Sequence, residues 1–201
     1  MDTPNSDEEG KKRQWMVGLF NAVEKESERG KILLLAAHID EVLGKMLKTF
    51  LKSPRKAKDD KLFSRMGILS TFAGRIEMAY RLGLISKDAA DCYDILRNIR
   101  NDCAHKMQPY SFDDSGKQAF IHFKSLSYRM SGISNILECV ERIGDKTSEN
   151  VFIMLLMIHA AFLEAHLIRI KESPDNFLAI PSLEAQKRYF AGCFDTLPKQ
   201  A

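Results

Sequence analysis

Apolar residues recur along this chain every three to four positions, the spacing that places them on one face of an α-helix. The clearest predicted helix is Lys31–Leu51, which ends before Ser53-Pro54 because proline cannot continue a helix. Its apolar stripe has the width expected of a helix that faces a core. The stripe consists of Ile32, Leu35, Ala36, Ile39, Leu43, Met46, Leu47 and Phe50.

The same spacing predicts helices along most of the chain. Capping residues mark several ends: Ser70 or Thr71 precedes one helix, Gly83 ends it, and Ser86 begins the next. No alternating strand pattern is present, so we predict an all-α fold without a sheet. The further predicted helices are a short one carrying Trp15, Leu19 and Val23, then Phe72–Leu82, Lys87–His105, Lys117–Leu126, one around Ile133–Val140, and Glu149–Glu172.

A chain of 201 residues is long enough for one well-buried core. We expect a disordered segment at residues 1–10, one helical domain at 11–173, and a tail at 174–201 with a short helix near Leu183–Phe190. The net charge of +3 gives no strong field for wrapping DNA. The four cysteines are scattered without a CxxC pair, which argues against a zinc ribbon and favours free thiols in a reducing compartment.

One apolar stretch, Val151–Leu163, raises the question of a membrane. It is shorter than the ~20 apolar residues of a spanning helix, and His159, Glu164 and His166 interrupt it or follow closely. We therefore expect a buried core helix and no membrane partner. The acidic N-terminus lacks the apolar core of a signal peptide, so the expected location is the cytoplasm.

The most chemically suggestive segment is Arg97–His105, at the end of a predicted helix. Residues five apart on a helix differ by about 140° around its axis, so Arg100 and His105 converge only where the helix ends or bends. Pro109 places His105 near such an end. Histidine can exchange a proton with an RNA 2′-hydroxyl, Arg100 can hold a phosphate through its fork, and Asn101 can orient either group. Arg97 would add a second phosphate-binding charge.

A structural explanation of the same residues stays open. His105 could cap exposed carbonyls at a helix C-terminus, where positive charge is favoured. The remaining histidines make weaker candidates: His38 has no second histidine at i+4, and His159 and His166 lie two helical turns apart. We therefore expect neither a metal site nor a cofactor.

Two segments carry a resemblance to a known family. The run from Gly67 to Ser86 and the helix end from Ile95 to His105 resemble the mannitol operon repressor family. The stretch from Glu28 to Leu51 fits that family's first long helix, and Ser111-Phe112-Asp113 matches a short motif after the histidine. The resemblance covers residues 24–170.

That family is similar to the HEPN superfamily, whose shared motif is matched here by Arg100, Asn101 and His105. The resemblance implies an antiparallel helical bundle, often a homodimer with two motifs facing one cleft. Active members cut RNA without a metal, and many are toxins or antiviral effectors paired with an antitoxin. Other members are regulators or binding modules.

Two hypotheses follow for this chain. The first is a metal-independent endoribonuclease that uses Arg100, Asn101 and His105. The second is a non-enzymatic transcriptional regulator that acts through a protein partner, with the same residues at a dimer interface or binding a nucleotide. No helix-turn-helix recognition helix is evident, so direct reading of an operator is poorly supported.

Overall fold

The structure, a computed structural model, describes residues 6–55, 60–106, 110–114, 116–130 and 147–172. Within these ranges the chain is helical and contains no strand, which confirms the all-α prediction. The antiparallel order of the bundle stays a prediction. The helices are α1 (Ser6–Glu24), α2 (Glu28–Phe50), a short 3-10 helix (Ile68–Ser70), α3 (Phe72–Arg81), α4 (Lys87–His105), α5 (Lys117–Arg129) and α6 (Ser148–Glu172).

Hydroxyl side chains fix the starts of three helices. Ser27 Oγ accepts from the Gly30 N–H at the start of α2, Thr71 Oγ1 accepts from the Gly74 N–H in α3, and Ser86 Oγ accepts from the Ala89 N–H in α4. Each bond satisfies an N–H that the first helical turn leaves without a partner. Of the two caps considered for α3, Thr71 is therefore the correct one.

Two helix starts differ from the sequence prediction by three residues or more, and α5 extends three residues beyond the predicted Leu126. Helix α1 begins at Ser6, inside the segment 1–10 that was expected to be disordered. Helix α2 begins at Glu28 rather than Lys31, because the Ser27 cap adds an N-terminal turn ahead of the apolar stripe. The predicted helices near Ile133–Val140 and Leu183–Phe190 lie outside the described residues.

The core forms where α2 packs against α6 and α4 packs against α5. By length and apolar composition, α6 is the one helix in the described part of the chain that could cross a membrane. Its most apolar window is 56% buried within the protein, as expected of a core helix. Several side chains of α2 and α6 are fully enclosed, among them Leu35, Ile39, Leu43, Phe152, Leu155 and Leu156.

The loop before α5 is anchored by an aromatic cluster. Phe112 is almost fully buried and packs edge-on or tilted against Tyr110, Phe120 and Phe152. Asp113 accepts a 2.8 Å hydrogen bond from the Ser148 hydroxyl at the start of α6. The Ser111-Phe112-Asp113 motif thus attaches this loop to the core.

Candidate functional site

Helix α4 positions the Arg97–His105 segment at one end of the bundle. The helix buries one face, on which Cys92, Leu96, Ile99 and Cys103 lie. The remaining faces carry polar side chains toward solvent. Because the helix is regular from Lys87 through His105, its core face determines where the polar side chains project.

Arg100 and Asn101 lie together on the outer surface. The Arg100 Nη1 donates to Asn101 Oδ1 over 3.1 Å, and the arginine side chain is exposed. Its charge also acts on Asp40 of α2. Burial raises the pKa of Asp40, whereas the positive charges of Arg75 and, more weakly, Arg100 oppose that rise. Arg100 therefore lies within electrostatic reach of the middle of α2.

Arg97 is paired within its own helix. Its Nε lies 3.2 Å from Asp94 Oδ1, and the arginine side chain is one-third exposed. An ion pair this accessible stabilises a protein by about 0–1 kcal/mol, so a phosphate could displace the carboxylate at little cost.

His105 is the last residue of α4 and faces solvent. Within the described part of the chain its ring makes no hydrogen bond or ion pair. The carbonyl of Ala104 beside it accepts a 3.2 Å bond from Arg29 of α2, and the Lys106 N–H bonds the Asp102 carbonyl. Capping at this helix end thus comes from Arg29 and Lys106, not from the His105 ring.

The single chain therefore brings Arg100 and Asn101 together but does not bring His105 to them. The helix continues without a bend from Arg100 through His105. The two side chains consequently stay about 140° apart around the axis, as on any regular helix. The ending that the sequence placed near His105 falls after it, not between the two residues.

Sequence reasoning did not identify the contacts of Arg29, Arg75 and Asp40, which hold the helices around the candidate site. Arg29 binds the end of α4 across 75 positions of sequence, and Arg75 forms a 2.9 Å ion pair with Asp40. Arg75 also donates to the carbonyls of Leu69 and Asp40, so it joins α3, the 3-10 helix and α2. No local motif marks such long-range contacts.

His38 of α2 faces α1 and α6. Its ring packs against Trp15 with centroids 5.3 Å apart, and its Nε2 is 3.5 Å from Glu164 Oε1. Burial lowers the pKa of His38 and raises the pKa of Glu164. Among the described residues no three His, Cys, Asp or Glu side chains form a group that could hold a metal.

His159 occupies the centre of the core. Its Nε2 is 2.9 Å from Ser127 Oγ, and its Nδ1 is 3.4 Å from the Tyr93 hydroxyl. The Ser127 hydroxyl donates to the Phe123 carbonyl, so Nε2 carries the proton and donates to Ser127. Complete burial lowers the pKa of His159 to about 3. The residue is therefore a neutral structural histidine.

The thiols in the described ranges are unpaired and inert. Cys92 and Cys103 are free and buried. Burial raises the pKa of Cys92 to about 12 and raises that of Cys103, which keeps both protonated at neutral pH.

Comparison of the chain with protein-family models, curated proteins and solved structures finds no match. The function is therefore inferred from the residues of α4 and its neighbours.

Proposed function

We propose that this protein is a metal-independent endoribonuclease of HEPN type, acting in the cytoplasm as a homodimer with toxin or defence activity. The observation that carries the proposal is the state of the motif in α4. Arg100 is exposed and held only by Asn101, and the His105 ring is exposed without a partner in the described chain. The Arg100 guanidinium and the His105 ring are therefore available to bind a ligand. The surrounding structure is stabilised by other contacts, such as those of Arg29, Lys106 and Arg75.

The dimer supplies the convergence that one chain lacks. Arg100 and His105 project about 140° apart on α4. A phosphate bound by Arg100 of one copy is therefore reached more easily by His105 of the other copy. His105 of the other copy accepts the proton of the RNA 2′-hydroxyl, and that oxygen attacks the phosphorus. The departing 5′-oxygen takes a proton from solvent water, and a cyclic phosphate remains. Arg100 stabilises the charge that develops on the phosphate oxygens.

A cytoplasmic location fits the state of the thiols. Cys92 and Cys103 are free and buried, as in proteins that fold in a reducing compartment.

RNA cleavage by the purified protein tests the enzyme proposal. We expect His105→Ala to lower the rate by about 10²–10⁴-fold, because proton transfer by a positioned side chain contributes that factor. Arg100→Lys should also impair cleavage, since lysine keeps the charge but loses the fork. Chelators should have no effect. His122→Ala is the matched control, because His122 is an exposed histidine on α5 that does not belong to the motif.

The proposal fails if purified protein leaves structured and unstructured RNAs intact, or if His105→Ala cleaves them as fast as the wild type.

A second function, non-enzymatic transcriptional regulation through protein contacts, is favoured by one observation. Carboxylates accompany both arginines: Asp94 lies beside Arg97, and Asp40 lies within electrostatic reach of Arg100. They reduce the positive potential available to RNA. Induced expression of the wild type and His105→Ala separates the two functions. Intact total RNA with equal growth in both strains supports the regulator, whereas growth arrest that needs His105 supports the nuclease.

A further inference from the structure

The loop between α2 and α3 presents apolar side chains outward. Met66 is 94% exposed, Ile68 is 62% exposed and Leu62 is 43% exposed. The backbone segments that carry them lie side by side, because the Leu69 N–H bonds the Leu62 carbonyl and Gly67 packs directly on that same backbone. A cluster of exposed apolar side chains on a protein surface commonly marks an interaction site.

This exposure is built into the loop. Phe63 and Leu69 turn inward and contact the core, while their neighbours Leu62 and Ile68 turn outward. Backbone bonds from Ser64 to Asp60 and from Gly67 to Ser64 hold the turns, and Arg75 fixes the Leu69 carbonyl. The fold therefore holds the three apolar side chains in water, where they contribute little to the stability of the core.

Gly67 shows how closely the loop is packed. A Cβ at this position would collide with the Leu62 carbonyl oxygen. Residue 67 must therefore be glycine for Met66 to be displayed in this way.

Basic residues lie close to the apolar cluster along the chain, and Lys48, Lys52 and Lys61 line one depression with Leu62. Five exposed lysines and arginines belong to the described residues 48–55 and 60–65, and Asp60 is the single acid there. These residues carry a net charge of +4, whereas the whole chain carries +3, so the remaining residues carry −1 between them. The basic residues are Lys48, Lys52, Arg55, Lys61 and Arg65.

The basic end of this surface, around Lys48, lies far from His105. Arg29, in the first turn of α2, contacts the end of α4 near His105, whereas Lys48 lies in the last turn of α2. At 1.5 Å per residue these two ends are about 28 Å apart. The basic charge around Lys48 is thus remote from His105.

We propose that this basic-apolar surface, formed by Leu62, Met66, Ile68 and the five basic residues, docks the protein onto an anionic lipid bilayer. Lysines and arginines next to a membrane are attracted by acidic headgroups, and aliphatic side chains at a protruding tip enter the interface. The proposal concerns peripheral binding. It replaces the expectation of no membrane partner, which considered only spanning segments.

Two alternatives fit the surface less well. Single-stranded RNA is bound by exposed aromatic rings on which bases stack, but Phe63 is half-buried and Lys48 lies over its ring at 4.9 Å. A second copy of this chain would place like charges against each other if it used the same surface.

Sedimentation of the full-length protein with vesicles tests the proposal. We expect binding to phosphatidylcholine vesicles in which about a third of the lipid is phosphatidylglycerol, little binding to pure phosphatidylcholine, and weaker binding as salt is added. The double variant Lys61→Glu/Arg65→Glu should lower the affinity at least about tenfold, because four charge units change near the surface. Met66→Ser/Ile68→Ser should weaken the binding that persists in salt.

Matched variants keep the test specific. Lys25→Glu/Lys117→Glu makes the same change in net charge at exposed positions elsewhere, and Ile121→Ser removes an exposed apolar side chain from α5. Both should bind vesicles as the wild type does, and circular dichroism should show that all variants are folded.

Three outcomes would overturn the proposal: no binding to anionic vesicles, equal binding to both lipid compositions, or wild-type binding by the loop variants. Retention of RNA that depends on Lys61 and Arg65, without vesicle binding, would assign the surface to nucleic acid instead. Because the assay measures no cleavage, its result is independent of the proposed ribonuclease activity.

Discussion

Some polar side chains of this protein make hydrogen bonds inside the core, whereas others are exposed to solvent. His159 belongs to the first group: its two nitrogens contact Ser127 and Tyr93 within the core, and no water reaches it. Arg100 and His105 belong to the second group, since both are exposed at the end of α4. Mutation distinguishes the two groups, because a side chain bonded within the core contributes more to stability than an exposed one.

The buried state of His159 makes stability depend on pH. Its pKa is about 3 in the folded protein and near 6.5 when unfolded, so the unfolded chain binds the proton more tightly. The contribution of His159 to the free energy of unfolding is fully present above about pH 6.5 and decreases as the pH falls below that value. Between pH 7 and pH 5.5 we expect a loss of about 1.3 kcal/mol in the free energy of unfolding. His38 and His166, whose pKa values are also lowered, act in the same direction.

Urea denaturation of His159→Gln at the two pH values measures this contribution. The variant cannot titrate, so its pH dependence should be smaller by about 1.3 kcal/mol. His122→Gln, at an exposed position, should keep the full dependence. An unchanged dependence in His159→Gln would show that the histidine is not the responsible group.

At the scale of elements, sequence predicted the helices well because apolar period and caps are local signals. Helix α4 has the bounds that its stripe and Ser86 indicated, and α3 differs by one residue. The extra turn of α1 before its apolar stripe and the Arg75 contacts were missed. The residues that begin α1, at positions 6–14, carry no apolar stripe in the sequence. The Arg75–Asp40 pair joins residues 35 positions apart.

The Arg75 contacts hold three elements together. Arg75→Ala removes the ion pair with Asp40 and leaves the Leu69 carbonyl without its donor. Both partners are less than one-third exposed, so we expect a loss of about 2–3 kcal/mol in urea denaturation. Arg81→Ala, on the same helix but in an exposed pair with Glu77, should change stability by less than about 0.5 kcal/mol. Similar losses in both variants would contradict this assignment.

The start of α4 depends on Ser86. Ser86→Ala removes the acceptor for the Ala89 N–H and should cost about 1 kcal/mol in thermal or urea unfolding. Ser86→Asp should restore stability, because aspartate also caps and its charge suits a helix N-terminus. Failure of aspartate to rescue would show that the serine acts through another contact.

At the scale of the whole molecule, the candidate site is less predictable than the fold. The motif residues were identified from sequence, but their spacing could not show whether Arg100 and His105 meet. Regular helix through His105 keeps them apart in one chain, so the enzyme hypothesis now depends on association. Side-chain convergence between two copies depends on how they pack, which no local pattern encodes.

Association is therefore the property on which the proposed mechanism rests. We expect light scattering to give a mass near twice the 22.9 kDa of the chain. Arg97→Glu should shift the protein toward monomer if the two α4 helices meet, because it places a new negative charge beside Asp94 on that surface. Arg81→Glu, an equal charge change on an exposed part of α3, should leave the mass unchanged. A monomer at high concentration would remove the partner's histidine from the mechanism, and cleavage by such a monomer would require Arg100 and His105 to act on one RNA from different sides of the same helix.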